Sequence, residues 1–265
     1  MAEHGAKPVL FSVLKPVHGP TETLERAIIA EAPIAIEYNG IGYAVMMATP
    51  IDLEDYAVGF SLSEGLIQRP GDILALDAHM SKLGWILRIQ VPQKNAEKVF
   101  ARARQRVSES SCGLCGMHNL EEVMRPLPHV TSHIEVADAS IFSALSSLRS
   151  HQTLNAQTGS AHAAAFCAVD GTILMTREDV GRHNALDKLI GALARAEIDI
   201  SAGFIILTAR CSLELVQKTI LANCPMLVTI SAATDLAIKM AEKSGLRLIS
   251  LARADSALAA MPQNG

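Results

Sequence analysis

A chain of 265 residues lies near the upper size for a single hydrophobic core, so one domain or two closely joined lobes both fit. With 49% hydrophobic and 19% charged residues and ordinary numbers of Gly and Pro, the composition is that of a compact globular protein and excludes wholesale disorder. A net charge of −4 provides no general basic field, so bulk binding to nucleic acid or an anionic membrane has no electrostatic support, and any anionic ligand must be met by local positive groups.

The first seven residues show neither a basic stretch leading into a long apolar one nor a small-residue cleavage pattern, which predicts a cytoplasmic protein. No uncharged apolar run reaches the roughly 18–20 residues of a membrane span; residues 203–209 have only strand length. The five cysteines, an odd and scattered number, do not form a secreted disulfide framework. Cys167, Cys211 and Cys224 read as core residues.

Along the chain, residues 33–38 place Ile34, Ile36 and Tyr38 on one strand face, Asn39-Gly40 forms a two-residue turn, and residues 41–48 return as a second strand. Residues 52–64 read as a helix with Asp52 at its N-cap and Gly65 just past its end. A second strand pair is expected at 73–76 and 85–91, and a basic-faced helix at 93–107. Pro126 and Pro128 break the chain, and a helix is expected at about 139–151. Apolar runs at 203–209, 225–231 and 246–251 alternate with amphipathic segments at 212–222 and 234–244, a rhythm that implies parallel βαβ crossovers beneath covering helices. Thr234 and Gly245 punctuate the last helix. Ligands of such sheets sit beyond the carboxyl ends of the strands, where Arg210, Ser231 and Arg253 fall. The overall reading is an α/β protein with an α+β N-terminal lobe over residues 1–130 and an α/β lobe over residues 131–265.

Cys112-Gly113-Leu114-Cys115-Gly116 brings two thiols together on a backbone made permissive by glycine. Metal binding, a redox disulfide and sulfur transfer all fit that spacing. A zinc site needs four ligands, and the other cysteines are isolated, so no metal is expected. A thioredoxin-type couple opens a helix after a strand, whereas this loop follows a helix and a polar stretch. A nucleophilic thiol and a buried structural pair remain, the glycines and polar neighbours favouring the first, and a nucleophile needs activation: at a reference pKa of about 8.5 only about 3% is ionised at pH 7. Arg106 and His118, or a helix N-terminus starting around residues 117–119, are the candidates for lowering that pKa.

His162 is followed by alanines, and the cysteine pair lies upstream of it. The His-x-Glu and downstream Cys-x-x-Cys of a zinc deaminase are therefore missing, and deaminase chemistry is rejected. Glu178-Asp179-Val180-Gly181-Arg182-His183-Asn184 is the densest polar run. Gly181 admits a ligand to the backbone, Arg182, His183 and Asn184 at a helix start offer donors to a phosphate, and Asp179 offers an acceptor to an amino or guanine-type edge. The alternative reading of the run is a solvated helix start with a capping Asp.

Taken together, the segments 111–116, Thr158-Gly159 with His162-Ala163-Ala164, and 178–188 closely resemble the formate dehydrogenase accessory sulfurtransferase family (FdhD, also called NarQ). Asn39-Gly40, Met47-Ala48-Thr49-Pro50 and Ser63-Glu64-Gly65 extend the likeness over roughly residues 33–253. The resemblance implies a cytoplasmic sulfur carrier with a C-terminal lobe like the three-layer fold of cytidine deaminase, similar to members that form homodimers. It implies that a cysteine desulfurase loads a persulfide on Cys112, assisted by Cys115. The sulfur then passes to the molybdenum of a bound bis-molybdopterin guanine dinucleotide cofactor destined for formate dehydrogenase. The guanine nucleotide portion would lie near His162, Asp179, Gly181, Arg182, His183, Asn184, Arg210 and Ser231, with Leu251, Ala252, Arg253, Ala254 and Asp255 as the C-terminal contact. The chain departs from the family's pattern at Ser160, Ala209 and Ala233 and through a shorter tail. The competing readings are a cofactor-binding chaperone that moves no sulfur and a structural metal or redox protein.

Overall fold

The computed structural model describes residues 5–16, 22–108 and 126–261. The fold is mixed α/β with three sheets. An N-terminal ribbon pairs β1 (Ala6–Val13) antiparallel with β2 (Glu22–Ile29). Nothing in the hydropathy pattern announced it, because most of its side chains are exposed.

The second sheet has the order β4-β3-β6-β5, from β3 (Ala32–Tyr38), β4 (Ile41–Ala48), β5 (Ala75–Met80) and β6 (Trp85–Gln90). The predicted hairpin is present. Asn39 (φ 49°) and Gly40 (φ 81°) both take the left-handed conformation that a tight two-residue turn requires. Asn39 also bonds the Val91 backbone through both side-chain atoms, at 3.0 and 2.8 Å, tying the turn to the end of β6. Strand β5 begins at Ala75 rather than residue 73, because the preceding residues form a tight turn, Pro70–Asp72, whose Asp72 carboxylate accepts from the Gln68 and Arg69 amides. Helices α1 (Leu53–Ser63) and α2 (Gln93–Ser108) supply Tyr56, Phe60, Ala96 and Val99 to this sheet's core, beside Ile34, Ile36 and Leu87.

Helix α1 starts and stops near the expected places, but Asp52 does not cap it. Asp52 sits at φ 52° with no capping bond, and its carboxylate lies 3.8 Å from Arg177 Nε. At the other end the Gly65 amide donates to the Leu62 carbonyl and the Leu66 amide to that of Ser61. That pair of bonds needs the left-handed φ of 68° at Gly65.

The third sheet has the order β12-β11-β10-β9-β7-β8. Its strands are β7 (His162–Ala168), β8 (Ile173–Asp179), β9 (Gly203–Leu207), β10 (Met226–Thr229), β11 (Arg247–Ser250) and β12 (Leu258–Ala259). As expected, β9, β10 and β11 are parallel and linked by α6 (Leu213–Leu221) and α7 (Asp235–Lys243). The other three strands run antiparallel to their neighbours, so the sheet is mixed. The 178–184 run closes β8 and opens α5 (Arg182–Arg195). Phe166, Ile205, Leu207 and Leu227 point toward α5, α6 and α7; Cys167, Phe204, Ile206 and Val228 point toward α3 (Asp138–Leu148). Helices thus cover both faces, the alternation that a period of two produces in buried strands. A short α4 (Thr153–Thr158) packs beside β2.

The sheet systems meet where α1 crosses α5. A Cβ on Gly59 would lie 1.7 Å from the Asp187 carbonyl oxygen, and one on Gly191 would lie 1.9 Å from that of Asp55. Only glycine permits this separation. Among the described residues, no helix is long and apolar enough to cross a membrane, and no group of three or more His, Cys, Asp or Glu side chains could hold a metal ion.

Candidate functional site

The Cys112–Cys115 loop lies outside the described residues. Cys167, Cys211 and Cys224 are buried, and burial pushes each thiol up to about 12, so they are inert at neutral pH.

The expected ligand contacts fall into three groups. Asp179, Gly181 and Asn184 form a polar junction with the 47–56 segment. One Asp179 carboxylate oxygen accepts from the Thr49 amide at 3.0 Å and lies 2.7 Å from Lys188 Nζ. The other accepts from the Gly181 amide at 2.7 Å and Asn184 Nδ2 at 3.0 Å. Lys188 donates to the Thr49 carbonyl at 2.9 Å, and the Val180 amide donates to the Thr49 hydroxyl at 3.1 Å. Asn184 in turn donates to the Met47 carbonyl and accepts from the Tyr56 hydroxyl. Asp179 and Lys188 are fully buried, so this carboxylate faces protein groups on every side. Burial drives the Lys188 ammonium down from its ordinary pKa, against the pull of Asp179. Glu178, the neighbour, reaches away from the junction to accept from the Leu154 and Asn155 amides at 2.7 and 2.8 Å, capping α4 from another strand.

The second group lies on the first turns of α5 and α6. Arg182 is half-buried, with its Nε atom enclosed and without a hydrogen-bond partner. His183 Nε2 lies 2.7 Å from a Glu214 carboxylate oxygen, at the edge of a cavity of about 300 Å3 that also holds the Asp187–Lys218 ion pair of 2.7 Å. Burial lowers the His183 pKa, helped by Arg182 and Lys218 and opposed by Glu214. Burial raises the Asp187 carboxyl, with Lys218 opposing.

The third group sits at the carboxyl ends of β9, β10 and β11. There a cavity of about 710 Å3 is floored by Thr208, Ile230 and Ala252, and Arg253 and Ala254 stand at its rim. The Leu251 amide donates to the Ser231 carbonyl and the Ala252 amide to that of Thr229, which holds Leu251 at φ 50°, a strained conformation for a bulky residue. His162 Nδ1 lies 3.2 Å from the Thr208 carbonyl, beside the cavity floor. Arg210 and Asp255 are exposed and do not line the cavity. Most of the lining escaped the sequence reading, including Arg26 on β2, Arg149 in the turn after α3, and Asn155 on α4. Only their meeting in space marks them, since each is an ordinary polar residue in its own segment.

A family model described as the FdhD/NarQ family matches residues 29–259. The chain belongs to the FdhD/NarQ family. It is 46% identical over 235 residues to the sulfur carrier protein FdhD of Xanthomonas euvesicatoria pv. vesicatoria (strain 85-10), covering 89% of this chain and 84% of the relative. It is 42% identical over 228 residues to the sulfur carrier protein FdhD of Variovorax paradoxus (strain S110), covering 86% and 82%. The fold is similar to the crystal structure of a proposed formate dehydrogenase accessory protein from Desulfotalea psychrophila, with a TM-score of 0.74 over 97% of both chains at 20% identity. Within the FdhD/NarQ match, the polar junction and the floor of the larger cavity are both included; Arg26 is not.

Proposed function

We propose that this FdhD/NarQ member is a sulfurtransferase that carries persulfide sulfur on Cys112 and delivers it to a molybdenum bis-molybdopterin guanine dinucleotide cofactor destined for formate dehydrogenase. The observation that carries the reading is the arginine-rimmed cavity at the carboxyl ends of the parallel strands in a chain whose relatives are named sulfur carriers. An anionic nucleotide arm of the cofactor suits that cavity, with Thr208, Ile230 and Ala252 at its floor and Arg253 and Ala254 at its rim; His162, Ser231 and Leu251 do not line it but adjoin the floor residues. Asp179, Gly181 and Asn184 then act by positioning β8 and α5, because their polar groups are spent on the junction. Arg182, His183, Arg210 and Asp255 flank these elements as outer contacts.

In loading, the Cys112 thiolate attacks the outer sulfur of a desulfurase persulfide. The old S–S bond breaks, a new one forms on Cys112, and the desulfurase recovers its thiol. In release, the Cys115 thiolate attacks the inner sulfur. The Cys112–Cys115 disulfide forms and the outer sulfur leaves as hydrosulfide, taking up the two electrons that the thiols give. The cofactor is the acceptor of that sulfur, and a dithiol reductant resets the pair. A deaminase-like lobe, a homodimer and a cytoplasmic setting accompany this reading.

The test is intact-mass analysis after incubation with a cysteine desulfurase and cysteine. One added sulfur is expected on the wild type and none on Cys112→Ala; an unmodified wild type refutes the carrier. Full activation of formate dehydrogenase by Cys112→Ala would favour a cofactor-binding chaperone that transfers no sulfur.

A further inference from the structure

Three arginines from three separate elements converge on the larger cavity: Arg26 from β2, Arg149 from the turn after α3, and Arg253 from the turn after β11. None of the three has an acidic partner among the described residues. Unpaired guanidinium groups around one concavity repel one another, and a multiply charged anion between them relieves that repulsion. Elsewhere the lining is short and uncharged at Ala156, Gly159, Ala252 and Ala254. Gly159 ends α4 at φ 71°, and a Cβ there would sit 4.0 Å from Arg26 Nη2, which places the Arg26 fork against the end of α4.

Arg26 also lies at the boundary with an adjoining cavity of about 620 Å3, which Lys7 of β1 lines as well; Glu25 is the acidic residue there. The ribbon carrying Arg26 and Lys7 precedes the residues matched by the family, 29–259. The site is therefore completed by a segment that the family match does not include.

We propose that Arg26 is a ligand-binding residue that clamps the phosphate groups of the nucleotide together with Arg149, and that the β1–β2 ribbon forms one wall of the site. The ligand class is a nucleoside diphosphate ester. This inference rests on the reading of the cavity as the nucleotide site. The planar guanidinium fork matches two phosphate oxygens at once, so Arg26 reads the diphosphate and not the base.

Calorimetric titration of the full chain with guanosine diphosphate, guanosine and inorganic pyrophosphate tests it. Arg26→Ala should weaken guanosine diphosphate about tenfold or more and leave guanosine unchanged. Arg26→Lys should recover part of the loss, and added salt should narrow the gap between wild type and Arg26→Ala. Pyrophosphate binding to the wild type that disappears in Arg26→Ala supports the same assignment. Arg26→Ala binding guanosine diphosphate like the wild type, while Arg253→Ala binds it poorly, overturns the Arg26 role and leaves the cavity reading standing. Equal weakening of guanosine and guanosine diphosphate also overturns it. A wild type that binds neither nucleoside nor nucleotide brings down both readings. Arg26 is exposed, so unchanged thermal unfolding should accompany its substitution.

Discussion

Lys188 Nζ lies 2.7 Å from an Asp179 carboxylate oxygen, and neither side chain is exposed to solvent. Two buried charges tolerate each other only because each has further partners: the Thr49 carbonyl for Lys188, and the Thr49, Gly181 and Asn184 donors for Asp179. Lys188→Met leaves a buried carboxylate without its cation and should cost about 3 kcal/mol or more in urea unfolding. Asp179→Asn should cost a similar amount. The double variant should lose less than the sum, since the uncompensated charge is then gone.

Gly59→Ala and Gly191→Ala oppose helix propensity to packing. On an exposed helix each change would stabilise by about 1 kcal/mol. Here each introduces a methyl group within 2 Å of a facing carbonyl oxygen, so both should destabilise, by about 2–3 kcal/mol. Thermal denaturation gives the sign directly.

Glu178→Ala removes the acceptor for the first free amides of α4. A loss of about 1–2 kcal/mol is expected, comparable with removal of a helix cap. Because α4 lines the larger cavity, nucleotide affinity should fall with it in the same calorimetric titration.

The pH dependence follows from His183. Its folded pKa is lowered below the ordinary 6.5, chiefly by burial, so below 6.5 the unfolded chain binds more protons than the folded one. Stability should therefore fall as pH drops from 6.5 through the lower folded value. His183→Gln should flatten that part of the profile, measured as the denaturant midpoint between about pH 5 and 7.5.

What local sequence reveals and what it conceals separate cleanly in this molecule. Asn39-Gly40 declared its hairpin because two consecutive left-handed residues suit few other structures, and the apolar runs around Ile205, Val228 and Ile249 declared parallel strands through their spacing. Asp179 shows the opposite. In its own segment it resembles a ligand acceptor at a helix start, yet one of its partners, Thr49, lies 130 positions away. A polar residue committed to burial cannot be told from one offered to a ligand until that partner is known. Arg26 was hidden for a related reason: an exposed arginine on an exposed ribbon carries no pattern, and only the approach of α4 and the β11 turn gives it a role.

Thr49 spends its amide, its carbonyl and its hydroxyl on residues from the far half of the chain. A fragment ending before residue 130 would leave the Thr49 amide and hydroxyl without these partners and its carbonyl with only the bond from the Ile51 amide, and one beginning there would leave Lys188 and Asp179 short of theirs. The halves should therefore not survive as independent modules: calorimetry of the whole chain should give a single melting transition, and neither half should refold when expressed alone.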